Sequence, residues 1–194
     1  MNLIGIAGTN GSGKDTLGQI LAEKYGYLFI SVTDILRDEL SRRSLPLSRE
    51  YMRQLSAEWR KESGLGVLVD KATATFDQYS GGEYKGLAIA SLRNPGEADR
   101  VHELEGKVIW LDATPKIRFE RIQSNSASRG SHRSVDDNKT FEQFIAEEEA
   151  EMHSLGDVTQ LDMSGVKSKA DIFIENNSDD VETFLEEIKK ELSL

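Results

Sequence analysis

The chain of 194 residues contains no cysteine. Disulfides and thiolate metal sites are therefore excluded, which suits a reducing compartment. Histidine is scarce as well. His102, His132 and His153 lie far apart, and no two have the spacing of a zinc-binding pair. Positive charge is in deficit: 24 Lys and Arg face 34 Asp and Glu, a formal net charge of −10. A general nucleic-acid binder carries the opposite balance, so no nucleic-acid partner is expected. Long apolar runs are missing too. The first, Leu3 to Ala7, lacks a basic leader and stops at Gly8, so it reads as neither a signal peptide nor a membrane span. The expectation is a cytoplasmic protein with no membrane partner. Proline occurs only at positions 46, 95 and 115, each at the edge of an apolar pattern.

What remains is an ordinary folding composition, with 38% apolar and 30% charged residues. One domain is the expectation for this length. Short apolar runs alternate with helix-period segments along the whole chain. "NLIGIA", "YLFISV", "LAIASL", "KVIWLDA" and "ADIFIEN" read as five buried strands. Leu17, Ile20, Leu21 and Tyr25 recur at helical spacing from about Gly13, and Gly26 ends that helix. Thr33 or Asp34 is expected to cap the next helix, and Ser48 the one after "LPLS". Pro95 and Pro115 stand at first helical positions, where the missing N–H costs nothing. Strands alternating with helices predict a five-stranded parallel sheet flanked by helices on both faces. The core is expected at 1–33, 81–123 and 168–194. Two stretches without strands, 34–80 and 124–154, read as inserts over the sheet.

The chemistry is concentrated in "GTNGSGKDT". Gly8, Gly13 and Lys14 satisfy G-x-x-x-x-G-K, the loop in which the chain curls so that backbone N–H groups meet phosphate oxygens. The helix that follows adds its positive end. A predicted strand before the loop and an amphipathic helix after it supply the context this motif needs. The position after Lys14 usually offers a hydroxyl to Mg²⁺, but here it is Asp15, with Thr16 next. A carboxylate is a good hard ligand for Mg²⁺. It also faces the phosphates, at a cost of about 3 kcal/mol per unit charge at ~5 Å and an effective dielectric of ~20. A metal ion or arginines must offset that. The other reading of Asp15 is a first-turn residue favoured by the helix dipole.

"GSGKDT", "ISVTDILRDEL", "SLRNPGEADRV", "VIWLDATPKIRFERI" and "ADIFIENNSD" follow one another in the order found in P-loop small-molecule kinases. Over nearly its whole length the chain resembles the adenylate-kinase-like proteins of archaeal type. More distantly it is similar to nucleoside monophosphate kinases and dephospho-CoA kinase. The resemblance implies ATP and Mg²⁺ as cofactors and a small-molecule phosphate acceptor, a nucleotide being favoured. It implies that Gly8, Thr9, Asn10, Gly11, Ser12, Gly13, Lys14, Asp15 and Thr16 bind the ATP phosphates. Asp34 and Arg37 fall where adenylate kinases place an acid on Mg²⁺-bound water and an arginine on the acceptor phosphate. Arg93 matches the arginine that grips the acceptor, and Arg121 one near the donor nucleotide. Arg129 and Arg133 fall in a lid, and Asn176 and Asn177 where the base of ATP rests. The 34–80 insert becomes the acceptor-binding part. One position departs from the pattern: Ala90 stands where the archaeal-type relatives end the third strand in Asp, just before a Gly-x-Arg-like turn. Asp15 and Asp34 are then the expected metal ligands.

The residues support this picture on their own terms. Phosphoryl transfer needs positive charge around a spreading negative one. From Thr114 to Arg133 there are five basic residues and one acidic residue, Glu120, in a chain that is acidic overall. The acidic stretch from Asp136 to Asp162 reads as a solvated helix, and Trp59 and Trp110 as packing residues. Three functions stay open. A nucleoside monophosphate kinase needs arginines. A dephospho-CoA-kinase-like enzyme needs a carboxylate base, for which Asp34 is available. An ATP-binding switch or slow ATPase acting on a protein partner is the reading that Ala90 favours.

Overall fold

A computed structural model of the chain describes residues 2–79, 82–124, 139–153, 156–178 and 180–192. The five predicted strands form one sheet. They are β1 (Asn2–Gly8), β2 (Tyr27–Ser31), β3 (Gly86–Leu92), β4 (Lys107–Asp112) and β5 (Ile172–Glu175). Their order across the sheet is β2-β3-β1-β4-β5, and every pairing is parallel. Parallel strands need long crossovers, and helices supply them: α1 (Lys14–Tyr25), α2 (Val32–Arg42), α3 (Arg49–Ser63), α4 (Val67–Gln78), α5 (Pro95–Glu103), α6 (Pro115–Ser124), α7 (Phe141–Met152), α8 (Met163–Ser168) and α9 (Val181–Leu192).

Alternation along β1 sends its side chains to two cores. Leu3 and Ala7 pack with Leu36, Leu55, Leu68 and Val101 under α2 to α5. Ile4 and Ile6 pack with Leu17, Leu21 and Ile188 under α1 and α9. Helices therefore cover both faces, as a parallel sheet requires. Each fully buried aliphatic side chain contributes about 2 kcal/mol. The segment joining β1 to α1 is thus clamped between two of the best-buried elements, with Ile6, Leu17 and Leu21 all buried.

β3 breaks the alternation at its carboxyl end. Ile6 pairs with Ala90, but Ala7 pairs with Leu92, so Ser91 is an extra residue in the strand. It takes φ 70, a left-handed value that costs a non-glycine residue about 1–2 kcal/mol. The bulge resets the parity. Leu92 rejoins the face of Leu87 and Ile89, while Ala88 and Ala90 stay on the opposite face.

Helix starts follow the sequence with two exceptions. Ser48 caps α3 by accepting from the Tyr51 N–H. Asn94 and Glu97 form a capping box at α5, with Pro95 at the first turn. However, α2 begins at Val32, directly off β2, and its cap is Ser31 rather than Thr33 or Asp34. Val32 is buried with Leu36 and Leu40, and that inward stripe sets the start. α8 was not predicted: it has only six residues, capped by Asp162, whose side chain accepts from the Gly165 N–H.

The start of α5 also anchors α3. Glu97 is fully buried. One carboxylate oxygen accepts the N–H groups of Arg93 (2.7 Å) and Asn94 (3.1 Å), and the other accepts Nη2 of Arg60 at 2.8 Å. Arg60 also donates to the Thr159 carbonyl at 2.8 Å. This network fixes the backbone from which the Arg93 side chain departs. Arg60→Ala would leave a buried carboxylate short of its counter-charge. We expect a loss of about 3–5 kcal/mol, read from the denaturant midpoint. A loss below about 1 kcal/mol, the size of a surface pair, would mean that the Glu97 charge is compensated by other groups.

Candidate active site

Positive φ angles at Gly8 (141), Gly11 (82) and Gly13 (101) curl the segment between β1 and α1. Gly8 is the most constrained. A Cβ there would lie 1.9 Å from the Leu111 carbonyl oxygen of β4, which is backbone and cannot move aside. Side chains then take up the loop's outward oxygens. The Thr9 carbonyl accepts from Ser12 Oγ (2.9 Å) and Lys14 Nζ (2.5 Å). Asn176 Nδ2 donates to the Ser12 carbonyl at 2.9 Å, and Arg118 Nη1 to the Asn10 carbonyl at 3.3 Å. The Thr9 hydroxyl donates to Asp112 Oδ1 at 2.6 Å. The first-turn N–H groups of α1 have no intrahelical partner, and Gly13, Lys14, Asp15 and Thr16 border a cleft. The loop therefore has the form of an anion cradle.

The cleft holds about 260 Å³ and lies between the loop, α2, α3 and the end of β3. Its charge is one-sided. Lys14, Arg37, Arg49, Arg53, Arg60, Arg93 and Arg121 line it, against Asp15 and Glu151. Four expected residues, Lys14, Arg37, Arg93 and Arg121, thus reach one space. Arg49, Arg53 and Arg60 were missed, although their spacing of four and seven residues marks one face of a helix. Burial is the main reason that the Lys14 pKa falls to about 8, and the Arg93 guanidinium lowers it further. Glu151 is pushed up by burial, but Arg93, Arg49 and Arg53 outweigh this and hold it at about 2.

Other expected residues have different positions. Asp34 is exposed, pairs with Arg37 at 3.0 Å, and is not part of the cleft wall. Asn176 is buried beneath the loop, where its amide supports Ser12. Asn177 accepts from the Thr114 N–H at 2.8 Å. Arg121 donates to the carbonyls of Asn176 (2.8 Å) and Ser178 (2.5 Å) while lining the cleft. Of the five basic residues in 114–133, Arg118 is buried behind the loop and Lys116 is exposed near Glu120. Arg129 and Arg133 lie outside the described residues. Trp59 is buried in the core with Lys71 over its ring, as a packing residue would be. The acidic stretch needs correction. α7 is no merely solvated helix, because Glu148 pairs with Arg118 and Glu151 with Arg93 and Arg53. Long-range pairing of this kind has no signature in local charge pattern.

Metal ligands are sparse. Among the described residues no group of three or more His, Asp or Glu side chains is placed to hold an ion. Asp15 and Thr16 are exposed at the cleft, and Ala90 is buried in the apolar cluster under α1. Also among the described residues, no helix is long and apolar enough to cross a membrane.

The order 2-3-1-4-5, with a G-x-x-x-x-G-K loop leaving the central strand, defines a P-loop fold of the kinase-like kind. A family described as AAA domain matches residues 4–151. A UPF0200 protein from Pyrobaculum aerophilum is 27% identical over 99% of this chain and 97% of its own length. Another from Methanococcus maripaludis is 30% identical over 83% of this chain and 84% of its own. The chain belongs to the AAA domain family and to the UPF0200 proteins. Shikimate kinase from Bacteroides thetaiotaomicron shares the fold, with a TM-score of 0.59 at 15% identity over 100% of this chain and 99% of that one.

The depressed lysine is open to test. Below about pH 8 Lys14 is charged, and above it the empty site releases the proton. A bound polyphosphate favours the charged form and raises the pKa. Tripolyphosphate binding near pH 9 should therefore take up protons, and affinity should fall as pH rises past about 8. Calorimetry in two buffers of different ionisation heat measures this. Lys14→Met should abolish the uptake, and equal heats for the parent protein would refute the assignment.

Proposed function

We propose that this protein is an ATP-dependent phosphotransferase with an anionic small-molecule acceptor, a nucleoside monophosphate being favoured. The observation that carries this reading is the cleft itself, which gathers Lys14 and six arginines around a phosphate-type loop in a chain of net charge −10. A cavity for a neutral acceptor has no need of that charge. In this reading the loop amides and Lys14 hold the donor phosphates, and Thr16 bonds the α-phosphate. Arg121 lies on the donor side. Arg37 and Arg93 hold the acceptor, joined by Arg49 and Arg53 of α3. They draw the two phosphates into line and stabilise charge that spreads over the transferring group. Arg129 and Arg133 belong to the same proposal as lid residues.

Mg²⁺ is the expected companion of ATP, and the residues present fit it modestly. It keeps several waters and substrate oxygens and needs only one or two protein ligands. The Asp15 carboxylate and the Thr16 hydroxyl are the oxygens at the cleft that would serve. When bound, the ion neutralises part of the phosphate charge. Asp34, outside the cleft wall and paired with Arg37, is poorly placed as a base for a hydroxyl acceptor. That weighs against the dephospho-CoA-kinase-like reading. Ala90 favours a second reading, an ATP-binding switch or slow ATPase acting on a protein partner, because it stands where the resemblance implies a carboxylate of the metal network.

A panel of acceptors with ATP and Mg²⁺ separates these readings. ADP formation that depends on a nucleoside monophosphate is the expected result. Dependence on dephospho-CoA or shikimate would redirect the acceptor, and slow turnover indifferent to any acceptor would favour the switch. Lys14→Ala should lower turnover by about 10²-fold or more, and normal turnover in that variant would reject the loop as the donor site. Asp15→Ser should retain phosphate binding but raise the Mg²⁺ concentration needed for half-maximal rate, with Asp15→Ala worse. Superimposable Mg²⁺ titrations of parent and variants would reduce Asp15 to a helix-start residue.

A further inference from the structure

Glu151 occupies the position that the proposed reaction reserves for the acceptor's anion. Its carboxylate lies 2.6 Å from Nη1 of Arg93, 2.8 Å from Nη2 of Arg53 and 3.9 Å from Nη1 of Arg49. All four side chains line the cleft. The arginines come from the end of β3 and from α3, and the carboxylate is delivered from across the cleft by α7. This contact is not the only thing holding α7. Phe144 is buried beside Phe119 and Phe141, and Glu148 pairs with Arg118. α7 can therefore stay docked through those contacts while Glu151 gives way.

We propose that Glu151 is an internal stand-in for the acceptor's anionic group, a specificity-determining residue that an acceptor must displace from Arg49, Arg53 and Arg93. The proposal rests on the phosphotransferase reading and narrows its substrate class. Glu151 meets Arg93 and Arg53 with one carboxylate of unit charge, and Glu147 also reaches Arg49, at 3.6 Å. A phosphate dianion offers three oxygens and twice the charge, so it forms more charge-assisted hydrogen bonds to the same cluster. A neutral acceptor has nothing to exchange for the carboxylate and is rejected. The resident anion thus selects acceptors that carry a phosphate dianion, through competition rather than through shape.

α7 also links the two halves of the site. Glu148, one turn before Glu151, pairs with Arg118, and Arg118 donates to the Asn10 carbonyl of the phosphate loop at 3.3 Å. A small cavity of about 20 Å³ separates Thr9 and Asn10 from Glu148 and Glu151, so the helix lies directly against the loop.

The test is binding of inorganic phosphate to the full chain, followed by calorimetry for the parent, Glu151→Gln and Glu151→Asp. Removing the competing charge should tighten phosphate binding by about tenfold, the scale of one close charge pair. Glu151→Asp, whose carboxylate falls short, should show a smaller gain, and it keeps the test alive if the Gln variant does not fold. The donor loop also binds phosphate, so a double variant, Glu151→Gln with Arg53→Ala, assigns the site: there the gain should vanish. Failure of every acceptor in the kinase assay would remove the phosphotransferase reading but leave this measurement standing. Unchanged or weaker phosphate binding in the folded single variants, or a gain that survives Arg53→Ala, overturns the proposal.

Discussion

Everything around the cleft answers one constraint, the repulsion among seven cations in a small space. Two like charges at ~5 Å and an effective dielectric of ~20 cost about 3 kcal/mol. Lys14 feels part of it: burial is the main reason that its pKa falls to about 8, and the Arg93 charge lowers it further. Carboxylates relieve the rest, two from outside the cleft wall and one within it. Glu97 takes Arg60 from below, Asp34 takes Arg37 from the solvent side, and Glu151 takes Arg93 and Arg53 from α7. Each counter-charge arrives on a different element. The ion pairs therefore tie three separate elements to the cleft, and a bound polyanion would be stabilised by any positive charge left over.

The end of β3 shows how backbone geometry serves that cleft. Without the extra residue at Ser91, the strict alternation of the strand would send Leu92 to the face of Ala88 and Ala90. The bulge returns Leu92 to the core under α5, and Glu97 then grips the Arg93 N–H. Ser91 holds a left-handed φ of 70, so backbone strain sits directly before Leu92 and Arg93. Ala90 itself is packed against apolar neighbours such as Ile6 and Leu17, a setting in which an unpaired carboxylate would be costly.

Much of the fold was legible because it is written in local pattern. Five apolar runs became five strands, and the phosphate loop announced itself by glycine spacing that only a curled backbone needs. Gly8, with φ 141 and no room for a Cβ, shows why. What stayed hidden depends on partners distant in sequence. Nothing local distinguishes Glu151 from its exposed neighbour Glu149, since both sit in one acidic run. Helical phase does separate them once Arg53 and Arg93 are known to face α7. Arg118 looked like one more cation of a basic segment, yet its guanidinium braces the loop from behind. Asn176 looked like a base-contacting residue, yet its amide supports Ser12. The six-residue α8 escaped because so short a helix has no period to detect. The start of α2 moved to Val32 because burial of that residue outweighed the capping preference of Thr33 and Asp34.

A cluster neutralised from within differs in kind from an open anion site. An open cluster binds any anion of sufficient charge and destabilises the empty protein by self-repulsion. Glu151 removes both effects at once: the empty state gains ion pairs, and the threshold for a ligand rises by the same interaction. Stability without ligand and selectivity toward ligand are then two readings of one free energy. A variant that loosens the Glu151 contact must bind anions better and fold less well, in proportion. That proportionality is what separates a competing carboxylate from one that merely orients the arginines, because an orienting residue would lose affinity and stability together.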